Sequence, residues 1–202
     1  MIEIAQTKKR AVVIGGGLLG LECARGLLDQ GMEVTVLHLA DWLMEMQLDR
    51  KAGDMLKADL EKQGMKIELQ ANSKEIIGDK DVEAIKLADG QVIETDLVVM
   101  AVGIRPYTEV AKDSGLDVNR GIVVNDYMQT SDSHIYAVGE CAEHDGKVYG
   151  LVAPLYEQGK VLADYLTGKE TKGYKGSTTF TSLKVSAVSY THLRAHETRH
   201  DL

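Results

Sequence analysis

The sequence predicts an α/β fold, a parallel sheet with crossover helices interrupted by a small β-meander, and three observations carry the prediction. Short apolar runs alternate with amphipathic stretches over about the first hundred residues, the pattern of strand, helix and strand. A glycine triplet, Gly15-Gly16-Gly17, sits where the first apolar run gives way to the first amphipathic stretch. Three strand-like runs later follow one another with no helix between them, two of them joined across Ala88-Asp89-Gly90, and Asp-Gly is a strong hairpin signal.

Ala11-Val12-Val13-Ile14 is a continuous apolar run that suits a strand buried on both faces. Leu18 to Gln30 reads as the helix after it, stopped by Gly31, and Leu19, Cys23 and Leu27 at i, i+4 and i+8 are expected to form its stripe on the sheet. Glu33 to Leu39, rich in β-branched residues, is the second strand. Asp49 to Gln63, stopped by Gly64, is the next helix, and Met65 to Leu69 the third strand. Ser73 to Ile77, Val82 to Leu87 and Gln91 to Thr95 form the meander. Leu97 to Ala101 then returns to a buried apolar strand before Gly103 and Pro106 end regular structure. Further on, Ile122 to Val124 and Ile135 to Val138 read as strands, and Pro154 to Leu166 as a helix ended by Gly168.

The 202 residues are 44% hydrophobic and 27% charged, a globular composition that excludes a disordered or fibrous chain. Lys and Arg number 23 against 31 Asp and Glu, a net charge of −8, so the basic footprint of a nucleic-acid binder is missing. No apolar run is long enough to span a bilayer and no signal-peptide pattern opens the chain. A cytoplasmic protein is expected, with neither nucleic acid nor membrane as partner. Cys23 and Cys141 are the only cysteines. With no C-x-x-C pair and no zinc-ligand spacing, redox chemistry must come from a bound organic cofactor.

Gly15-Gly16-Gly17-Leu18-Leu19-Gly20 is a G-x-G-x-x-G between strand and helix, with a second strand following within about thirty residues, the fingerprint of a Rossmann-type dinucleotide site. Gly15 permits the tight turn, Gly17 lets the backbone approach a pyrophosphate, and Gly20 lets the helix pack close to the strand. The free N–H groups and positive end of the helix then meet the anion. The fingerprint wants an acid about twenty residues on to hold the ribose 2′-hydroxyl, and His38 stands there instead. An imidazole bonds a hydroxyl or, protonated, faces a phosphate; it equally suits a partly exposed strand end. No Arg follows that strand before Arg50, which favours NADH over NADPH.

Val12 to Arg25 (VVIGGGLLGLECAR), Val34 to Asp41 (VTVLHLAD) and Met46-Gln47-Leu48-Asp49 together resemble the NADH domain of the assimilatory NAD(P)H nitrite reductase large-subunit family. That family is a branch of the two-dinucleotide-fold flavoprotein reductases, which include rubredoxin and ferredoxin reductases. Asp96 to Pro106 (DLVVMAVGIRP) is similar to the motif by which such chains leave the NADH domain. Thr130 to Cys141 (TSDSHIYAVGEC) resembles the second FAD motif, with Glu140 where most relatives carry Asp, and Gly150 to Gln158 (GLVAPLYEQ) matches the same branch. The resemblance runs from Ile2 to Ser186.

The resemblance implies an NAD(P)H-binding domain over 1–105, the C-terminal return segment of an FAD-binding domain over 106–186, and a tail over 187–202 that lies beyond it and reads as non-native. His192, His196 and His200 in that tail share helical spacing but lack a fourth ligand, so no metal site is expected. The family's pattern gives Gly15, Gly17, Leu18, Leu19 and Gly20 to the NADH pyrophosphate, Glu22, Val102 and Gly103 to the nicotinamide end, and Gly139 and Glu140 to FAD. Glu22 also suits a first helical turn through the dipole alone, Gly103 a chain reversal, and Gly139 with Glu140 a surface turn. The implied chemistry is hydride transfer from NAD(P)H to FAD and, in nitrite reduction to ammonia, onward transfer to iron–sulfur and sirohaem centres held elsewhere in the parent protein. A small subunit or electron-acceptor protein is the implied partner. A rubredoxin or ferredoxin reductase, or an inactive nucleotide-binding fragment, fits the same motifs. One glycine fingerprint is present where the family's order has two. The chain is therefore expected to be an internal piece with an incomplete FAD site and no turnover of its own, and no residue is assigned as catalytic acid, base or nucleophile.

Overall fold

The computed structural model describes residues 2–185. They divide into two compact units, 2–103 with 181–185, and 104–180. The tail over 187–202, with its three histidines, lies outside the described residues.

In chain order the first unit contains α1 (Ile2–Thr7), β1 (Arg10–Ile14), α2 (Leu18–Asp29), β2 (Glu33–Leu37), α3 (Arg50–Lys62), β3 (Lys66–Glu68), β4 (Ser73–Gly78), β5 (Val82–Leu87), β6 (Val92–Glu94) and β7 (Leu97–Met100). The apolar runs make a parallel sheet in the order β3-β2-β1-β7, with Val13 beside Val36 on one side and Val99 on the other. Flanked on both edges and both faces, β1 buries Ala11, Val12 and Val13 almost completely, which is why its sequence has no polar alternation. The meander is the antiparallel sheet β4-β5-β6, turned at Asp89-Gly90 as the hairpin signal requires, with Gly90 at a positive φ of 95°.

The face that α2 presents differs from the expected Leu19, Cys23 and Leu27 stripe. Gly20, Leu21, Ala24 and Leu27 are buried, Cys23 is intermediate and Leu19 is 70% exposed. The cause is steric: a Cβ at Gly20 would sit 1.9 Å from the Gly15 carbonyl oxygen. Only the hydrogen of Gly20 fits against the loop, and this fixes the helix's rotation. At about 100° per residue, Leu19 then turns away from the sheet. In α3 the start is set by Asp49, whose side chain accepts the Ala52 N–H at 2.8 Å, and Leu60 is its fully buried anchor.

The second unit contains α4 (Glu109–Asp113), β8 (Ile122–Val124), β9 (Ala142–His144), β10 (Lys147–Val148) and α5 (Val152–Leu166). Its sheet runs β10-β9-β8, with β9 parallel to β8 and antiparallel to β10. Val124, Met128, Ala137, Ala142, Tyr149 and Tyr174 form its core. Ile135 to Val138 is not a strand; a single bridge, Gln129 to Tyr136, is its ladder contact. Thr130 N–H donates to Ile135 C=O and Ala137 N–H to Met128 C=O; these are the two bonds of that one antiparallel bridge, and the pairing goes no further. The return segment, expected to run to residue 186, leaves this unit after Phe180. Leu183 and Val185 are each 2% exposed in the core of the first unit, where burial of their side chains holds the chain.

No helix among the described residues is long and apolar enough to cross a membrane.

Candidate functional site

In parallel α/β sheets a ligand site forms beyond the carboxyl ends of the strands. The chain leaves the end of β1 through Gly15, Gly16 and Gly17, and the loop is held from three directions. Gly15 N–H donates to Leu37 C=O at 2.8 Å, Ala101 N–H to Ile14 C=O at 2.8 Å, and Met44 N–H to Gly16 C=O at 3.1 Å. The Gly15 Cα faces the end of β7 so closely that a Cβ would stand 2.2 Å from Ala101 C=O. At Gly17, by contrast, no atom of the described residues lies within 4 Å of where a Cβ would be. Gly17 is the N-cap of α2, and the first N–H bonded back along the helix is that of Leu21, to Gly17 C=O at 3.0 Å. The N–H groups before it are the orphan donors of a helix start.

Above this loop lies a cleft of about 660 Å³, walled by residues 14–18, 37–39, 45–47, 71–76 and 100–103. It is lined mainly by apolar groups with a few polar ones, as small-molecule sites are. On one wall Ser73 Oγ is buried with no hydrogen-bond partner among the described residues. The cleft fits a dinucleotide: an open glycine edge at a helix start for the pyrophosphate, and apolar walls for the bases.

Gly15, Gly17, Leu18, His38, Val102 and Gly103 are brought together around the cleft. Gly20 lies beneath the loop rather than in it, and Leu19 points away. Glu22 is not a cleft residue; its Oε1 accepts the Lys184 N–H at 3.0 Å and so tethers segment 181–185 to α2. His38 lines the wall yet is only 7% exposed, and the protein engages both its nitrogens. Nδ1 accepts the Gly16 N–H at 3.0 Å, and Nε2 is 3.0 Å from Glu45 Oε2. It is thus a buried loop support rather than a partly exposed strand end. Gly16 is part of this seat, since a Cβ on it would come within 2.8 Å of the His38 ring. Glu45 was outside the motifs: it sits in the irregular stretch after β2, where neither periodicity nor fingerprint marks it.

Gly139 and Glu140 belong to the second unit. Gly139, at a φ of +99°, donates its N–H to Gln158 Oε1 at 2.9 Å, with nothing among the described residues within 4 Å of a Cβ, and Glu140 is exposed. An exposed carboxylate beside an open glycine turn suits the hydroxyls of a flavin's ribityl chain. The cysteines are both unbridged, and burial pushes the Cys23 thiol up, away from the reactive thiolate.

Comparison with known proteins agrees with this geometry. The chain is 62% identical over 188 residues to a nitrite reductase [NAD(P)H] of Bacillus subtilis (strain 168), covering 93% of this chain and 23% of that protein. The structure of an FAD-dependent pyridine nucleotide-disulphide oxidoreductase from Desulfovibrio vulgaris superposes with a TM-score of 0.80 at 29% identity, over 92% of this chain and 50% of that one. A water-forming NADH oxidase from Lactobacillus brevis, bound to NADH, gives a TM-score of 0.81 at 27% identity over 91% of this chain and 42% of that one. The chain thus spans less than a quarter of the length of the nitrite reductase it matches. The pyridine nucleotide-disulphide oxidoreductase family matches residues 1–159, most of the chain, and the glycine loop and cleft lie inside that match: the chain belongs to this family of NAD(P)H-dependent flavoprotein oxidoreductases.

Proposed function

We propose that this chain is the NAD(P)H-binding part, with a portion of the flavin-binding part, of an oxidoreductase that passes reducing equivalents from NAD(P)H through FAD to nitrite. The observation that carries the nucleotide role is the open Gly17 edge at the start of α2, facing a cleft of about 660 Å³ beyond the ends of β1 and β7. Nitrite as the terminal acceptor rests on the Bacillus subtilis relative's name and on the 62% identity. A small subunit or electron-acceptor protein is the proposed partner.

In this reading the N–H groups of Gly17 and Leu18 bind the pyrophosphate, with the α2 dipole aligned on its charge. Gly15 and Gly20 hold loop, strand and helix close enough to aim those donors. Val102 and Gly103 pass the nicotinamide end and exclude water from it. Glu140 accepts a flavin hydroxyl, and Gln158 holds Gly139 so that the turn presents it. Bound flavin supplies the acceptor for the nicotinamide hydride; the protein supplies binding and orientation.

Titrating the purified chain with NADH by calorimetry is expected to saturate at one nucleotide per chain. Its absorbance spectrum is expected to show flavin absent or substoichiometric, and NADH oxidation with an artificial acceptor to stay near background. Failure to take up NADH would overturn the nucleotide reading. Stoichiometric flavin with NADH turnover would overturn the reading that the flavin site is incomplete.

A further inference from the structure

The acid that a dinucleotide fold places at the end of its second strand is missing at His38, but the structure brings one to the same corner of the cleft by another route. His38 accepts the Gly16 N–H on Nδ1, so its proton resides on Nε2, and that N–H points at Glu45 Oε2 at 3.0 Å. Glu45 lines the cleft with about a third of its side chain exposed, and among the described residues its second oxygen has no protein donor. One oxygen is therefore fixed by an imidazole that is itself anchored on the glycine loop, and the other is left for a ligand. An ionised carboxylate accepts hydrogen bonds and cannot donate them, so it matches the hydroxyls of a ribose and opposes a phosphate.

We propose that Glu45, positioned by His38, is the residue that accepts the adenosine ribose 2′-hydroxyl and excludes a 2′-phosphate, making the cleft selective for NADH over NADPH. The inference rests on the nucleotide reading above. His38 acts through Glu45 and is a positioning residue. The competing group is Lys74, exposed on β4 and also lining the cleft, among the described residues the one Lys or Arg on its wall; it stands next to Glu75, whose charge offsets it. Were Lys74 to govern the corner, a 2′-phosphate would be held rather than refused.

The test is the ratio of NADPH to NADH dissociation constants, measured by calorimetry on the full chain and two variants. In the parent the ratio is expected to exceed about tenfold, the effect of a like charge facing the extra phosphate. Glu45→Gln keeps an oxygen for His38 but removes the charge, and is expected to bring the ratio below about threefold. His38→Asn places an amide oxygen near the position of Nδ1, able to accept the Gly16 N–H, but does not reach Glu45. Its ratio should fall in the same way while its melting temperature stays near the parent's, which a purely structural role for His38 would not produce. Equal or tighter binding of NADPH by the parent overturns the proposal without any variant. A ratio unmoved by Glu45→Gln also overturns it. A parent that binds neither nucleotide overturns the nucleotide reading itself, a result distinct from binding without selection.

Discussion

Two glycines three residues apart, one capping α2 and the other in its first turn, should fail in opposite ways when replaced. At Gly20 an added methyl meets the Gly15 carbonyl oxygen at 1.9 Å, well over an ångström inside normal contact, and the obstacle is backbone. Gly15 cannot retreat freely, because its N–H is bonded to Leu37 C=O at 2.8 Å. Overpacking of this kind costs about 2–3 kcal/mol. For a unit of about a hundred residues that is a fall of about 10–20 °C in melting temperature for Gly20→Ala. Gly17 has an extended backbone, φ −88° and ψ −175°, that a β-branched residue adopts without strain, and no atom of the described residues within 4 Å of a Cβ. Gly17→Val should therefore stay within about 1 kcal/mol of the parent in stability, the change in N-cap residue included. It places a branched side chain where the pyrophosphate must reach backbone donors, at a cost of one charge-assisted hydrogen bond or more, so NADH affinity should fall about tenfold to hundredfold. Thermal melting and calorimetry on the same preparations separate the two effects. A Gly20→Ala protein that melts with the parent would refute the packing argument; a Gly17→Val protein that binds NADH as the parent does would show that the loop is not the site.

The Arg10 guanidinium beside Asp96 holds its carboxyl well below the usual carboxylate range, aided by the Arg10 N–H at 2.9 Å. A folded-state value below the unfolded one means that the stabilisation is complete above about pH 5 and fades as pH falls below about 4, so the melting gap between parent and Asp96→Asn should narrow across that range. A gap constant from pH 7 to pH 3 would contradict it. Gln158→Leu takes the acceptor from Gly139 N–H but also removes the unpaired buried Nε2, for a net cost of about 1–2 kcal/mol. Hydrogen exchange at Gly139 should quicken, and unchanged exchange would dismiss the contact. Leu183→Ala should cost about 2–4 kcal/mol although the residue follows the whole second unit in sequence, because its side chain is 2% exposed in the first core. An unaltered melting temperature would place it outside that core.

The parallel sheet was legible because a strand buried on both faces writes an unbroken apolar run, as Ala11 to Ile14 and Leu97 to Met100 do. The bounds of α3 fell within a residue of expectation because Asp49 and Gly64 are chemical stops. The rotation of α2 was misread because an apolar stripe competes with a backbone approach, and the backbone approach at Gly20 has no slack. Ile135 to Val138 alternates like a strand, but alternation does not say how far a partner edge runs, and here the pairing is one bridge long. The β9–β10 pair carries a signal of its own, Asp145-Gly146, the same dipeptide that turns the meander. At the candidate site Gly15 and Gly20 were legible because a loop, strand and helix that meet this closely leave no room for a side chain. Glu45 was not, since its role depends on a hydrogen bond to a ring seven residues away, which no periodicity encodes.

The tether between Lys184 and Glu22 also sets an order of events during synthesis. Everything in the first unit up to β7 has been made when about 80 residues remain before Leu183 is added, and at about 5–20 residues per second this is a wait of about 4–16 s. Through that interval the first core lacks Leu183 and Val185 and is open where they will close it. The second unit has time to fold inside the interval, since elementary helix and hairpin events take microseconds. Of the two units the one begun earlier is thus completed later, and the nucleotide cleft matures in a body that Leu183 and Val185 close only after residues 104–180 have been made.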